Sequence, residues 1–240
     1  MIKIENTEVV GWEAAVRGMR NPMNSWDKSD SGYVCGDKKC SAIPGCDICC
    51  DVPHYVIGPR DISLMKKLAN AGTDHRKFMR MITVYLDITA PLYWWKEFDT
   101  YKVGTVANSC STMHKIHAKR FEREDFSIEH LDNCDEQHWM VCMDNIISAM
   151  NVARDKYLET KDKKYWWQMI QLLPSSYNQK RTVMLNYEVL ANIYKSRYNH
   201  RLDEWRELCK WVETLPHAKG LIYNDTEKEL FNTAKGNEMV

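Results

Sequence analysis

The sequence predicts a helix-rich α+β protein. Residues 82–89, ITVYLDIT, alternate apolar and polar side chains, which is the pattern of a strand that is buried on one face. Residues 177–185 form a second, weaker extended segment. Most other apolar residues recur at helical spacing, and residues 202–215 carry the clearest apolar stripe. One clear strand and one weaker strand among several helices favour the α+β class.

Proline and glycine mark the ends of several predicted helices. Pro91 stands in the first turn of a short aromatic helix, Gly72 follows the end of another, and Pro174 follows a third. Residues 21–51 are rich in Asn, Ser, Asp, Gly and Cys, which predicts a long loop. The predicted helices are 8–19, 62–71, 90–98, 138–157, 162–172, 186–196 and 202–215.

The charge balance excludes some classes of partner. Lys plus Arg and Asp plus Glu number 33 each, so neither nucleic acid nor an anionic membrane is expected as the main partner. The sequence shows no signal peptide and no apolar run of the ~18 residues that a membrane span needs. The nine cysteines are an odd number. We therefore expect a cytoplasmic protein with reduced thiols.

Five of the cysteines cluster within the predicted loop. Cys46 and Cys49 form a CxxC pair, and Cys35 and Cys40 lie upstream with four residues between them. Thiolates at this spacing are typical ligands of tetrahedral zinc, although only five residues separate the two pairs. The sequence therefore predicts a structural zinc on Cys35, Cys40, Cys46 and Cys49. The alternative is a cysteine-rich surface insertion that binds no metal.

Small hydrogen-bonding side chains follow the aromatic helix in an almost continuous run. Residues 94–114 read WWKEFDTYKVGTVANSCSTMH, with Gly104 at the position where close approach of a ligand is easiest. Such a run can line a ligand, and the alternative is a polar capped turn. His75, in TDHRKFMR, precedes the clear strand. Alone, a histidine there is more often structural than ligand-binding.

The helix that starts near Asn186 places two polar groups on one face. Arg197 lies eleven residues on, about 20° around from Asn186, whereas Asn192 points about 120° away. The face between Asn186 and Arg197 is apolar. It could span a large ligand that has an anionic part. Alternatively, Arg197 caps the helix or pairs with Asp203 or Glu204.

In chain order, these segments resemble the flavin-dependent thymidylate synthases, or thymidylate synthase complementing proteins. The similar segments are ITVYLDIT, APLYWW, the Gly-Thr loop, LLPSSYNQKRTVMLNYEVLANIYKSR and HRLDEWRELCKW. The family has a histidine before a strand, an Ala-Pro-led aromatic helix, the motif RHRxxSxNExSxR, and a helix with two Asn and an Arg. The resemblance covers residues 57–215. This chain is similar to a divergent member with a degenerate motif.

The resemblance implies an organisation and a set of ligands. It implies an α+β fold with a central antiparallel sheet, in a single domain over residues 1–216. The cysteine-rich insertion at 30–52 lies outside the family pattern, and 217–240 is expected to be a polar tail. The implied cofactor is FAD, with NADPH and methylenetetrahydrofolate as co-substrates. A pyrimidine deoxynucleotide, deoxyuridylate or a relative, is the implied substrate of a homotetramer.

The resemblance also assigns roles to residues, one position at a time. The positions that match cofactor contacts are His75, Thr100, Tyr101, Lys102, Asn186 and Asn192. Those that match the catalytic part of the motif are Thr105, Asn108, Cys110 and Ser111. Those that match substrate contacts are Glu97, Ser109, Thr112 and Arg197.

The departures from the family pattern concern positive charge. Thr100-Tyr101-Lys102 replaces Arg-His-Arg, the last motif arginine is missing, and so is an arginine before Leu173-Pro174. Lys102, His114, Lys115 and Arg181 are the basic groups that could replace them, with a different geometry. The change therefore bears on the substrate more than on the fold. Cys110 could add to C6 of a pyrimidine, or it could simply be a packed thiol.

If the family chemistry holds, reduced flavin gives hydride and the folate gives one carbon to C5 of the pyrimidine. Two other functions stay open on the sequence. One is a non-catalytic descendant that binds flavin or nucleotide. The other is a zinc-containing interaction module that shares only the fold.

Overall fold

A four-stranded antiparallel sheet organises the fold of the computed structural model, which describes residues 2–34, 54–134, 137–226 and 228–230. The strands are β1 (Lys3–Val10), β2 (Gly32–Val34), β3 (His54–Val56), β4 (Thr83–Pro91), β5 (Val106–Ser109), β6 (Asn133–Cys134), β7 (Gln137–His138) and β8 (Asn178–Asn186). The main sheet has the order β1-β4-β8-β5. Short ribbons pair β2 with β3 and β6 with β7. The predicted α+β class and the antiparallel sheet are confirmed.

Eight α-helices make up much of the rest of the described chain. They are α1 (Trp12–Arg20), α2 (Pro59–Asn70), α3 (Leu92–Phe98), α4 (Trp139–Thr160), α5 (Lys163–Leu172), α6 (Tyr187–Arg197), α7 (Asp203–Val212) and α8 (Ala218–Leu221). Single 3-10 turns cover Asn21–Met23, Trp26–Lys28, Arg76–Met81 and Arg123–Asp125. Within the described residues, no helix combines the length and the apolar character needed to cross a membrane.

The centre of the sheet follows directly from the alternation in the sequence. In β4, Val84, Leu86 and Ile88 are buried, whereas Tyr85 and Asp87 lie on the other face. Strand β4 pairs with β8 without interruption from Thr83↔Asn186 to Pro91↔Asn178. A main core packs against the buried face of the sheet. Its largest fully buried side chains include Trp94, Trp95, Trp205, Tyr187 and Tyr194.

A second, smaller core lies between α4, α5 and the connection that precedes them. Its buried members are Ile116, Phe121, Phe126, Met143, Ile147, Met150, Ala153 and Met169. On α4, Met150 and Ala153 face this core, whereas Val141 is 48% exposed.

The N-terminal segment departs from the predicted helix over 8–19. Residues Lys3–Val10 form an edge strand beside β4, and the helix begins at Trp12. Gly11 makes this change of direction possible, since its φ is +92°. A Cβ at Gly11 would lie 2.0 Å from the carbonyl oxygen of Met81. Only glycine fits between strand and helix here.

A buried ion pair anchors the base of the cysteine-rich segment. Arg20 Nε donates to Asp61 at 2.6 Å, and the hydroxyls of Ser29 and Ser31 donate to the other carboxylate oxygen at 2.6 Å. Although Asp61 is completely buried, it keeps its negative charge because these partners surround the carboxylate.

The cysteine-rich segment continues from a paired ribbon. Val34 pairs with His54, so the residues on either side of this segment lie next to each other. Cys35, Cys40, Cys46 and Cys49 lie outside the described residues, so the zinc stays a prediction. Within the described ranges, no group of three or more His, Cys, Asp or Glu is arranged to hold a metal.

Packing continues past the predicted start of the polar tail. Ala218, Leu221 and Ile222 are buried in the main core, and Tyr187 Oη donates to the carbonyl of Pro216 at 2.7 Å. The main core therefore includes residues beyond position 216. The division into 1–216 and 217–240 stays a prediction in other respects, since residues 231–240 are outside the described part.

Candidate functional site

The loop after α3 is fixed by a close contact with the start of α6. Gly104 has a φ of +75°, and a Cβ there would lie 2.8 Å from Asn186 Nδ2 and 3.2 Å from Val189 Cγ2. Asn186 caps α6, because its Oδ1 accepts from the Val189 backbone N–H at 3.1 Å. The loop rich in small residues thus lies directly against the helix that carries Asn192 and Arg197.

Strand β5 divides the degenerate motif between two faces of the sheet. Ala107 pairs with the buried Val183, and Asn108 pairs with the exposed Thr182. Ala107 and Ser109 therefore point towards the core side, whereas Asn108 points to the open face. Of the predicted motif residues, Ser109 shares the side of Ala107, and Asn108 does not.

A cleft of about 480 Å³ opens on the core side of β5. It is lined by Phe98, Asp99, Tyr101, Lys102, Thr105, Ala107 and Arg181. Three predicted site residues, Tyr101, Lys102 and Thr105, meet here. Thr105 Oγ1 is buried and has no hydrogen-bond partner among the described residues. A buried hydroxyl without a partner is costly, which makes it a natural contact for a ligand.

Arg181 crosses the cleft from β8. Its guanidinium stacks 4.1 Å from the ring centre of Trp95, while Nε donates to Gln179 at 3.0 Å and Nη1 to Asp99 at 2.7 Å. Its side chain is 14% exposed. Stacking and two hydrogen bonds fix the plane of the guanidinium. This residue was only one of several candidate replacements for the motif arginines on the sequence.

Arg197 lies in a second polar cluster, around Glu97. Nη1 of Arg197 donates to Glu97 Oε2 at 2.9 Å, and Nε donates to Tyr101 Oη at 3.0 Å. The indole N–H of Trp205 donates to the same Glu97 oxygen, and the guanidinium lies 4.8 Å from the Trp205 ring centre. Glu97 is therefore the acidic partner of Arg197, and not Asp203 or Glu204, which the sequence left open as an alternative.

His200 completes this cluster. Its Nδ1 accepts from the Leu202 backbone N–H at 3.2 Å, and its Nε2 lies 3.4 Å from Glu97 Oε2. Burial lowers the pKa of His200, and this effect exceeds the opposing attraction of Glu97. A neutral imidazole with its proton on Nε2 suits this geometry.

Three of the residues predicted to contact flavin, His75, Asn186 and Asn192, lie on α6 or beside it, whereas Thr100, Tyr101 and Lys102 follow α3. His75 is exposed at the start of the 3-10 turn Arg76–Met81. Arg76 Nη2 donates to Asn192 Oδ1 at 2.9 Å, and Arg76 and Arg80 both pair with Glu188. His75 and Asn192 are therefore linked through Arg76, a residue that the sequence reading did not single out although it adjoins His75.

The remaining motif residues are held by local hydrogen bonds. Thr100 Oγ1 donates to the carbonyl of Glu97 at 2.7 Å, and Ser111 Oγ accepts from the His114 backbone N–H at 2.8 Å. Thr112 is half-buried. Cys110 is an exposed free thiol whose backbone is tied to β8 through Lys180 and Gln179. Within the described residues, no base is hydrogen-bonded to this thiol.

Several solved structures have a similar architecture and align with most of this chain. Two structures of the flavin-dependent thymidylate synthase ThyX from Helicobacter pylori, each with FAD and dUMP, have a TM-score of 0.62 at 14% identity. The alignments cover 95% and 93% of this chain, and 100% and 98% of the two ThyX chains. The UMP/dUMP methylase PolB from Streptomyces cacaoi, bound with 5-Br dUMP, has a TM-score of 0.52 at 13% identity and covers 89% of each chain.

The chain has the ThyX fold. No protein-family model matches the sequence, and no curated protein does. The likeness thus lies in the arrangement of the backbone, and it agrees with the resemblance read from the sequence.

Two exposed side chains near α6 have the chemistry to bind FAD. A flavin ring offers hydrogen-bond donors and acceptors along one edge. The exposed imidazole of His75 and the exposed amide of Asn192 are groups that can bond to such an edge. All four residues of β5 are exposed, so this edge of the sheet is open in the described part of the chain.

Proposed function

We propose that the chain is a flavin-dependent enzyme that transfers a one-carbon unit to C5 of a pyrimidine nucleoside monophosphate. The observation that carries the proposal is the ThyX fold over 95% of the chain, with a cleft at the loop that stands in place of the family motif. The neighbours contain FAD, dUMP or a dUMP analogue. Methylenetetrahydrofolate is the proposed one-carbon donor, and NADPH is the proposed reductant.

In this proposal, one group of residues binds the flavin and another binds the nucleotide. His75, Asn186 and Asn192 hold the flavin, which supplies hydride when it is bound. Arg197, oriented by Glu97, binds an anionic part of the nucleotide or the edge of its base. Preorganised charge of this kind stabilises a transition state because it needs no rearrangement during the reaction.

The degenerate loop supports a substrate other than plain deoxyuridylate. A uracil ring gains negative charge at O4 or N3 during transfer to C5, and a nearby guanidinium would stabilise it. Thr100 and Thr112 stand at positions where the family motif has arginines, and they are neutral, as is Asn108 between them. An amide can instead bind an exocyclic amino group. We therefore propose that deoxyuridylate is a slow substrate and that another pyrimidine nucleotide, or another C5 product, is preferred.

A second copy of the chain is proposed to complete the site. Strand β5 is an edge strand of the sheet, and Val103 and Val106 beside the cleft are 91% and 60% exposed. Exposed apolar groups on an unpaired edge favour association. A homotetramer with sites between subunits would cover them. The measurement is the mass of the purified protein by light scattering.

Purification tests the proposal against its two alternatives. The enzyme should be yellow or should take up added FAD, and it should oxidise NADPH when folate and nucleotide are present. Flavin uptake without turnover for any pyrimidine nucleotide would favour the non-catalytic descendant. Zinc without flavin or nucleotide binding would favour the interaction module.

A further inference from the structure

The cleft beside β5 contains more positive charge than its neighbours neutralise. Arg181 and Lys102 line it, and among the residues that the structure describes Asp99 is the only acidic one that does. The Lys102 ammonium forms no ion pair with the described residues, and its side chain is exposed. The third nitrogen of Arg181, Nη2, makes no hydrogen bond within the described part of the chain. The cleft therefore has unused donors next to the unpartnered hydroxyl of Thr105.

We propose that Arg181, Lys102 and Thr105 form a phosphate-binding subsite, and that phosphate displaces Asp99 from Arg181. Arg181 comes from β8 and is not part of the motif, so this subsite replaces the missing motif arginines from a different strand. The identity of its ligand, a nucleotide or a flavin dinucleotide, rests on the proposed function. The subsite itself rests on the geometry of the cleft.

The planar guanidinium of Arg181 is held ready for a negatively charged ligand. Its stack on Trp95 and its bond to Gln179 hold the guanidinium whether or not Asp99 is engaged. A phosphate offers more charge and more acceptor oxygens than a carboxylate, and it suits the fork of an arginine. Lys102 adds a second charge from the loop. The approach of Lys102 and Thr105 on one side and Arg181 on the other would enclose the phosphate.

Asp99 is suited to be displaced. Its side chain is 53% exposed, so it can turn to solvent at little cost in solvation. An ion pair at that exposure is also weak. Asp99 competes with an anion for Arg181, and removal of its charge should therefore strengthen phosphate binding. That opposite direction separates a competitor from a residue that merely supports the fold.

The experiment is calorimetric titration with pairs of ligands in which one member carries phosphate and the other lacks it. The pairs are deoxyuridylate with deoxyuridine, and FAD with riboflavin; inorganic pyrophosphate is a probe that depends on neither. Arg181→Met should weaken binding of the phosphate-bearing ligand by about 10–100-fold and leave its phosphate-free counterpart unchanged. Asp99→Asn should tighten it by about 2–10-fold, a gain that misfolding cannot produce. Melting temperatures of both variants are measured alongside.

Each outcome decides the proposal. An effect confined to deoxyuridylate assigns the subsite to the nucleotide, and one confined to FAD assigns it to the dinucleotide. If the wild-type protein binds neither deoxyuridylate nor FAD, the proposed function fails. The subsite is still supported in that case if pyrophosphate binds more weakly to Arg181→Met and more tightly to Asp99→Asn. Equal losses for deoxyuridine and deoxyuridylate, no change in any phosphate ligand, or weaker binding by Asp99→Asn would overturn it.

Discussion

Arg197 donates a hydrogen bond to Glu97 at 2.9 Å, so the arginine predicted to bind nucleotide is already oriented by an acidic residue of α3. Tyr101 accepts from the same guanidinium, and Trp205 both stacks on it and donates to Glu97. The four side chains form a closed set of contacts. Arg197 therefore reaches its ligand from a fixed position, and the plane of its guanidinium matters as much as its charge.

Replacement of Arg197 by lysine should weaken nucleotide binding by about 1.5–3 kcal/mol, because lysine keeps the charge but loses the planar fork. FAD binding should change little. Both affinities can be measured by titration of the purified protein. Lys195→Arg, on an exposed position of the same helix, is the matched control and should leave both affinities unaltered. Unchanged nucleotide affinity in Arg197→Lys would show that this arginine does not contact the nucleotide.

Alanine substitutions at two glycines with positive φ distinguish the energetic cost of backbone strain from the cost of a contact with Asn186. Gly104→Ala and Gly72→Ala should each cost about 1–2 kcal/mol of unfolding free energy, since both backbones are in the region that side chains disfavour. Gly104→Ala should cost more, because its Cβ meets Asn186 and Val189, whereas a Cβ at Gly72 meets nothing within 4 Å. Urea unfolding measures both.

Only Gly104→Ala should also weaken ligand binding, because the contact with Asn186 positions Thr105 and its loop. If the two variants lose the same stability and bind ligands equally well, the loop is not positioned by that contact.

The sequence predicted the centre of the sheet but not its edges. Strands β4 and β8 are buried on one face, so their apolar periodicity is a consequence of their position. Strands β1 and β5 are at the edges and mostly exposed, and β5 is exposed at every residue. Pairing with a neighbouring strand, rather than an alternating pattern, defines such strands.

The sequence names candidate site residues but does not predict their arrangement. Glu97, Tyr101 and Arg197 are such candidates, and in the structure they are in direct contact. Their contact depends on the packing of α3 against α6 and α7, which no local pattern encodes. The role of Arg181 depends on Asp99, which is 82 residues away in sequence. Long-range ion pairs of this kind follow from the fold alone.

The open face of the sheet should show an acid-sensitive contact at Asp87. A hydrogen bond from Thr182 is the main cause that lowers its pKa from 3.8 to about 2, with further bonds from Asn6 and Lys180. Because the pKa is lower in the folded state, this stabilisation is present above pH 3.8 and is lost as the pH falls towards 2.

Carboxyl NMR titration measures the pKa of Asp87 directly. Thr182→Val should move it back towards its ordinary value, and Asp87→Asn should reduce the acid dependence of unfolding. An Asp87 that titrates near pH 3.8 in the wild-type protein would contradict this assignment.

The cysteines predicted to bind zinc should be separable from flavin binding. Replacement of Cys46 and Cys49 by serine should release about one zinc per chain and leave FAD uptake intact, because these residues lie outside the resemblance to ThyX. Elemental analysis of fresh protein and of the variant measures the metal. Cys142→Ser, on α4, is the control that should retain it. A wild-type protein without zinc would remove the metal site but not the proposed enzyme.

The most direct test of the central claim is single-turnover oxidation of reduced FAD on the purified protein. Methylenetetrahydrofolate is mixed with deoxyuridylate or deoxycytidylate, flavin absorbance is followed, and products are identified by mass. The account predicts that a pyrimidine nucleotide gains a one-carbon group at C5 as flavin is oxidised, and that deoxyuridylate reacts slowly or not at all. Rapid conversion of deoxyuridylate to thymidylate would contradict the inference about substrate, and oxidation of flavin with no modified nucleotide from any pyrimidine would contradict the proposed function.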